Sequence, residues 1–139
     1  MAAKIIPQRG VRADTRVVLL AEDEPLIRFD IADELRHLGF QVIEARNADE
    51  AIDVLKSTAR IDLVVTDVRM PGYHDGLDVA RAVREKRPGV KVIVMSGHLV
   101  LKEKHEDFID LFVSKPTPVD QLAKAIMDLM NVDAAKWGR

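Results

Sequence analysis

Five side chains in this sequence have the types and placement to do chemistry together. Three are carboxylates (Glu22, Asp23 and Asp67), one is a hydroxyl (Ser96) and one an amine (Lys115), and each closes an apolar run. Acids brought close together repel: at ~4 Å and an effective dielectric near ~20, each like-charge pair costs about 4 kcal/mol. A raised pKa is one remedy. A hard divalent cation is another, and carboxylate with carbonyl oxygens suits Mg²⁺. With that ion and the Lys115 ammonium in place, the site is net neutral or slightly positive and suits a dianionic phosphoryl group held beside a carboxylate. An Asp carboxylate is a competent nucleophile toward such a group. The cation, the lysine and the Ser96 hydroxyl would then stabilise its equatorial oxygens.

These residues meet only if the elements behind them converge. The runs Val17–Ala21, Ile61–Thr66, Val92–Met95 and Phe112–Ser114 read as buried strands, which are usually parallel and covered by helices on both faces. Ligands bind at the carboxyl ends of such strands. Strands are expected at 17–22, 41–45, 61–66, 91–95 and 111–114. Pro25, behind acids able to cap, opens a helix with Ile27, Ile31, Leu35 and Leu38 at helical spacing, and Gly39 ends it. Asn47 with Glu50 three later resembles a capping box before a second helix through Ala51, Ile52 and Leu55. Leu77, Ala80 and Val83 carry a third helix, which Pro88-Gly89 stops. A weakly periodic fourth helix is expected between about 99 and 106, and a fifth starts at Thr117-Pro118 with Leu122, Ile126, Leu129 and Met130 on one face. Five strands alternating with five helices predict a three-layer α/β domain with right-handed crossovers.

The bulk numbers narrow the class. A chain of 139 residues suits one domain, and domains near this size bury about two-thirds of their unfolded surface. No cysteine is present, which excludes disulfides, thiolate metal sites and a cysteine nucleophile. The net charge of −2 lacks the basic excess of a nucleic-acid binder, so no direct nucleic-acid contact is expected. No apolar stretch approaches the ~20 residues of a membrane span. Residues 1–15 read as a flexible leader without a signal-peptide core, 16–131 as the domain and 132–139 as a tail with Trp137. The expectation is a cytoplasmic protein. His37, His74 and His105 lack matching ligand partners and read as surface residues.

Four motifs, taken together, carry a family resemblance: Leu19-Leu20-Ala21-Glu22-Asp23-Glu24, Val64-Val65-Thr66-Asp67-Val68-Arg69-Met70-Pro71-Gly72, Val94-Met95-Ser96-Gly97 and Val113-Ser114-Lys115-Pro116. From about Arg16 to Met130 the chain resembles the receiver domain of two-component response regulators. The resemblance implies a flavodoxin-like doubly wound sheet of order 2-1-3-4-5, with Asp67 as phosphoacceptor. It implies Mg²⁺, or Mn²⁺ in its place, bound by Asp23 directly, Glu22 through water, Asp67 and the Arg69 carbonyl. Ser96 and Phe112 match the hydroxyl and aromatic switch pair, Lys115 the lysine beside the phosphoryl group, and Pro116 follows it in cis. Arg69, Gly97 and His98 occupy positions that tune phosphoryl lifetime. The implied donor is a histidine kinase or phosphotransfer protein. The implied output is a changed partner preference at the face of the fourth helix, fifth strand and fifth helix.

The sequence departs from the family pattern in two places. The loop from Pro71 to Gly76 is one residue longer than the common form, and only 19 positions separate Ser96 from Lys115, a deficit that falls on the fourth helix. Three other functions compete. An aspartyl-phosphate phosphatase usually needs a second acid two residues after the nucleophile, where Arg69 stands. A flavodoxin-like electron carrier needs a hydroxyl- and glycine-rich phosphate loop after the first strand, where Glu22-Asp23-Glu24-Pro25 would repel phosphate. A phosphorylation-independent adaptor would not need the intact acid set. With no output domain recognised after Met130, the chain resembles a stand-alone receiver that is not an enzyme beyond promoting its own phosphorylation and dephosphorylation.

Overall fold

The computed structural model describes residues 15–97 and 107–131. Within them the chain runs β1 (Val17–Ala21), α1 (Pro25–His37), β2 (Gln41–Ala45), α2 (Ala48–Lys56), β3 (Leu63–Asp67), α3 (Gly76–Lys86), β4 (Lys91–Ser96), β5 (Leu111–Ser114) and α4 (Val119–Met130). The five strands form one parallel sheet in the order β2-β1-β3-β4-β5. This is the doubly wound flavodoxin-like architecture expected from the sequence, with four helices among the described residues. The expected helix at 99–106, together with His98, His105, Trp137 and residues 1–14 of the expected leader, lies outside them, whereas Thr15, placed at the end of that leader, is buried.

A period of two splits each central strand between two cores. Leu19, Ala21, Val64, Val92 and Val94 pack with Ala51 and Leu55 of α2 and Val79, Ala80 and Val83 of α3. The intervening residues Val18, Leu20, Leu63, Val65, Ile93 and Met95 pack on the other face with Ile31 and Leu35 of α1 and Leu122 and Ile126 of α4. Both faces of β1 are closed to water, which is why it reads as an unbroken apolar run.

Helix ends follow local chemistry, with several departures from the sequence expectation. Gly39 takes φ +103°, and the Gly39 and Phe40 amides donate to the Arg36 and Leu35 carbonyls, ending α1. Pro25 does stand in the first turn, but Glu24 at the N-cap makes no side-chain cap bond. The capping box expected at Asn47 is half formed: Asn47 accepts from the Glu50 amide at 2.8 Å, while Glu50 turns back to the Arg46 amide. The complete box belongs to α3, where Asp75 and Asp78 each accept the other's amide. Ile27, expected on the apolar stripe of α1, is 38% exposed, because the stripe buries only from Ile31 onward. α4 begins at Val119, one residue beyond the Thr117-Pro118 start, with Pro118 as N-cap.

Strand limits shift by one or two residues, and one shift matters. β3 spans 63–67 rather than 61–66, so Asp67 is the last paired residue of the strand and not the first residue beyond it. Asp62 is engaged instead in accepting the Val17 amide at 2.8 Å. β1 ends at Ala21, one residue short of 17–22, and β4 extends to Ser96, one beyond 91–95. The register sets Ala21 beside Ala45 and Thr66, Asp67 beside Met95, and Ser96 beside Ser114. Glu22, Asp67, Ser96 and Lys115 therefore reach the same edge.

Candidate functional site: an acidic pocket at the strand ends

Glu22 is the most constrained residue of the site and is fully buried. Its amide donates to the Ala45 carbonyl at 3.1 Å. Its own carbonyl accepts from Arg28 Nη1 at 2.8 Å, and its Oε2 accepts from the Glu24 amide at 3.0 Å. Oε1 is buried with no hydrogen-bond partner. A buried acceptor left unsatisfied typically costs about 1–3 kcal/mol. Oε1 lies 3.7 Å from Lys115 Nζ, inside ion-pair range but beyond a hydrogen bond.

Carboxylate oxygens of Glu22, Asp23 and Asp67 lie within 4.8 Å of one another. Asp67 is buried, and its Oδ2 accepts from Lys115 Nζ at 2.9 Å. Its backbone is pinned as well: Thr66 Oγ1 donates to the Asp67 carbonyl at 2.9 Å, and the following amide, Val68, donates to the Met95 carbonyl at 3.0 Å. Lys115 is held by its amide bond to the Ser96 carbonyl at 2.8 Å, and the Lys115–Pro116 peptide is cis as expected. Ser96 is buried, on the adjacent strand end to Asp67. Gly97 has open space where a side chain would stand.

The charges respond to this crowding. Burial, reinforced by the fields of Asp67 and Asp23, pushes the Glu22 carboxyl up, against the opposing pull of the Glu24 amide and Lys115. For Lys115, burial works against the charge, but the hydrogen bond and field of Asp67, then Glu22 and Asp23, outweigh it and hold the ammonium above its ordinary value. One ammonium thus faces three carboxylates. The residual negative charge, the hard oxygen donors and the unpartnered Oε1 fit a divalent cation such as Mg²⁺.

Other predicted positions fall less tightly. Arg69 is exposed beside an open hollow lined by Val68, Met70, Pro71 and Asp75, two residues past Asp67. Phe112 is paired next to Val94 and 36% exposed. His74 is on the surface, but it has a partner: its Nδ1 lies 2.6 Å from Asp49 Oδ1, joining the β3–α3 loop to α2. His37 is exposed.

Three supporting residues escaped the sequence reading. Arg28 holds the Glu22 carbonyl, Thr66 caps the Asp67 carbonyl, and Gly76 lets α3 approach β3, where an added Cβ would lie 1.8 Å from the Asp67 carbonyl oxygen. Only Gly76 had a local signal, as the glycine closing a turn-rich loop.

Comparison with known families agrees with this geometry. The response regulator receiver domain matches residues 18–127. The chain belongs to the response regulator receiver family. This receiver is 36% identical over 114 residues to the transcriptional regulatory protein PdtaR of Mycobacterium tuberculosis, covering 80% of the chain but 55% of PdtaR. It is 31% identical to part of the sensor histidine kinase RcsC of Salmonella typhi, covering 81% of the chain and 12% of the kinase. The receiver thus spans about half of one relative and about an eighth of the other. Among solved structures, a response regulator receiver protein from Sinorhizobium medicae superposes with a TM-score of 0.78 at 36% identity, over 86% of this chain and 98% of that one. Response regulator TrrA from Thermotoga maritima, solved in complex with Mg²⁺-BeF, superposes with a TM-score of 0.71 at 30% identity, over 83% and 99%. The family is one of two-component signalling and binds Mg²⁺ at an acidic pocket, and this receiver carries a cluster of Glu22, Asp23 and Asp67 at its strand ends. No described helix is long and apolar enough to cross a membrane.

Proposed function

We propose that this receiver accepts a phosphoryl group on Asp67 from a phosphohistidine of a histidine kinase or phosphotransfer protein. The supporting observation is the pairing of Asp67 Oδ2 with Lys115 Nζ at 2.9 Å, beside the unpartnered Glu22 Oε1. An Asp67 carboxylate oxygen attacks phosphorus. A P–O bond forms, the P–N bond to the donor imidazole breaks, and its electron pair returns to the ring nitrogen, which takes up a proton. Lys115 then shifts from the carboxylate to a phosphoryl oxygen, and the Ser96 hydroxyl follows to another. Mg²⁺, or Mn²⁺ in its place, would be held by Glu22, Asp23, Asp67 and the Arg69 carbonyl, and supplies positive charge to the phosphoryl oxygens.

Arg69 stands where a phosphatase would need its second acid, so the chain promotes only its own phosphorylation and dephosphorylation. Arg69, Gly97 and His98 set the lifetime of the acyl phosphate. Movement of Ser96 together with Phe112 changes the surface that β5, α4 and the segment preceding them offer to a downstream protein. Phosphorylation acts by its differential contacts in the two states. The setting is cytoplasmic, with no direct contact to nucleic acid or membrane.

Acetyl phosphate with Mg²⁺ tests the reading by intact mass. The wild-type chain is expected to gain one phosphoryl group that hydroxylamine removes, and Asp67→Asn none. An unlabelled wild type, or equal labelling of D67N, contradicts it.

A further inference from the structure

Arg28 has no part in the chemistry above, yet it makes a closer bond to the site than to its own ion-pair partner. Its Nη1 donates to the Glu22 carbonyl at 2.8 Å, whereas its Nε is 3.2 Å from Glu44 Oε1 on β2. Its side chain is only 14% exposed, so the guanidinium is partly withdrawn from water. The carbonyl it grips belongs to the peptide that joins Glu22 to Asp23, the two acids contributed by the end of β1. Glu44 also accepts from Arg36 at 3.0 Å, which steadies the anchor. Arg28 itself is seated in the first turn of α1, its amide donating to Glu24 at 2.9 Å.

We infer that Arg28 is a positioning residue for metal binding: its planar fork orients the Glu22–Asp23 peptide, and with it both carboxylates, by tying that peptide to β2 through Glu44. The inference rests on the Mg²⁺ site proposed above. Every polar atom of Glu22 other than Oε1 is engaged: the amide by Ala45, the carbonyl by Arg28 and Oε2 by Glu24. With three tethers in place, Oε1 is held 3.7 Å from Lys115 Nζ, the ammonium that also bonds Asp67. Without the Arg28 tether the peptide can rotate, and the acids lose their common aim. Arginine suits the task because its donors diverge in one rigid plane and reach a carbonyl and a carboxylate at once. A lysine at the same place supplies a single point of attachment.

Removing outer partners of metal ligands typically weakens metal binding by about 10–100-fold. Mg²⁺ alone, titrated into the unphosphorylated full chain and followed by amide resonances of the β1–α1 loop, provides a readout separate from labelling. Arg28→Met is expected to weaken Mg²⁺ binding by about tenfold, and Arg28→Lys to recover part of it. Melting temperatures without metal separate this effect from a general loss of stability. A purely structural arginine would lower the melting temperature of R28M and leave its Mg²⁺ affinity at the wild-type value, which overturns the inference. Should R28M fail to fold, R28K decides alone: weakened binding supports the inference and wild-type affinity overturns it. A wild type that takes up no Mg²⁺ overturns the proposed metal site and this inference with it. Equal affinity in wild type and variant overturns this inference only.

Discussion

At the scale of single residues, the site stores an electrostatic cost in Glu22. Its carboxyl is pushed above its ordinary value of 4.5, first by burial. Because the folded state holds this proton more tightly than the unfolded chain, the contribution of Glu22 to stability is complete below that value. It is lost as pH rises through the folded-state pKa. Without metal, raising the pH above 4.5 therefore costs the folded state stability at Glu22. Glu22→Gln keeps an acceptor for the Glu24 amide and removes the charge. The metal-free variant is expected to melt above the wild type at neutral pH, with the gap closing as pH falls toward 4.5, while its Mg²⁺ binding is lost. Thermal melts with excess chelator across that range check it, and a variant that melts below the wild type at neutral pH contradicts it. Lys115 does not remove the cost, since one ammonium is shared between Asp67 and Glu22.

At the scale of elements, β3 and α3 are bound together by a contact that leaves no room for a side chain. The Gly76 amide donates to the Val68 carbonyl at 2.8 Å, and a Cβ there would stand 1.8 Å from the Asp67 carbonyl oxygen. Gly76→Ala has to move either the start of α3 or the end of β3. Overpacking of this kind costs about 3 kcal/mol. Urea unfolding is expected to show that loss, and acetyl phosphate labelling of Asp67 to slow with it. Unchanged stability contradicts the contact. A second tie of this kind closes the C-terminal end of α2: Arg87 donates to the Leu55, Ser57 and Ala59 carbonyls at 3.2, 2.7 and 2.8 Å. Arg84 does the same for the turn into β5, reaching Asp110 at 2.6 Å and the Val90 carbonyl at 2.8 Å. In both, a cation in or just after α3 meets backbone carbonyls near the ends of neighbouring elements.

At the scale of the molecule, stability is concentrated in the middle of the sheet. β1 and β3 are buried along their whole length, whereas the edge strands β2 and β5 are largely half-exposed or exposed. Amides in β1 and β3 are expected to exchange with solvent only through global unfolding, and those of β5 through smaller openings. Hydrogen exchange read by mass spectrometry or NMR checks this, and β5 protection equal to that of β1 contradicts it. The arrangement suits a receiver. Glu22, Asp23 and Asp67 are mounted at the ends of the two strands that are buried along their whole length. Ser96 and Lys115 approach from the β4–β5 side, where the proposed switch residue Phe112 also lies.

The two-sided burial of β1, β3 and β4 and the set of acids, hydroxyl and lysine at one edge were legible in the residues, because periodicity and strand-end position are local properties of a segment; the strand order came only with the family resemblance. The resemblance rested on the same local runs. Tertiary structure alone decided that Oε1 of Glu22 lacks a hydrogen-bond partner, that Arg28 grips the carbonyl between two acids, that His74 meets Asp49 and that Gly76 touches Asp67. Each depends on distances between segments brought together by packing, down to tenths of an ångström. No pattern within one segment encodes those distances, since they are set jointly by every side chain filling the two cores.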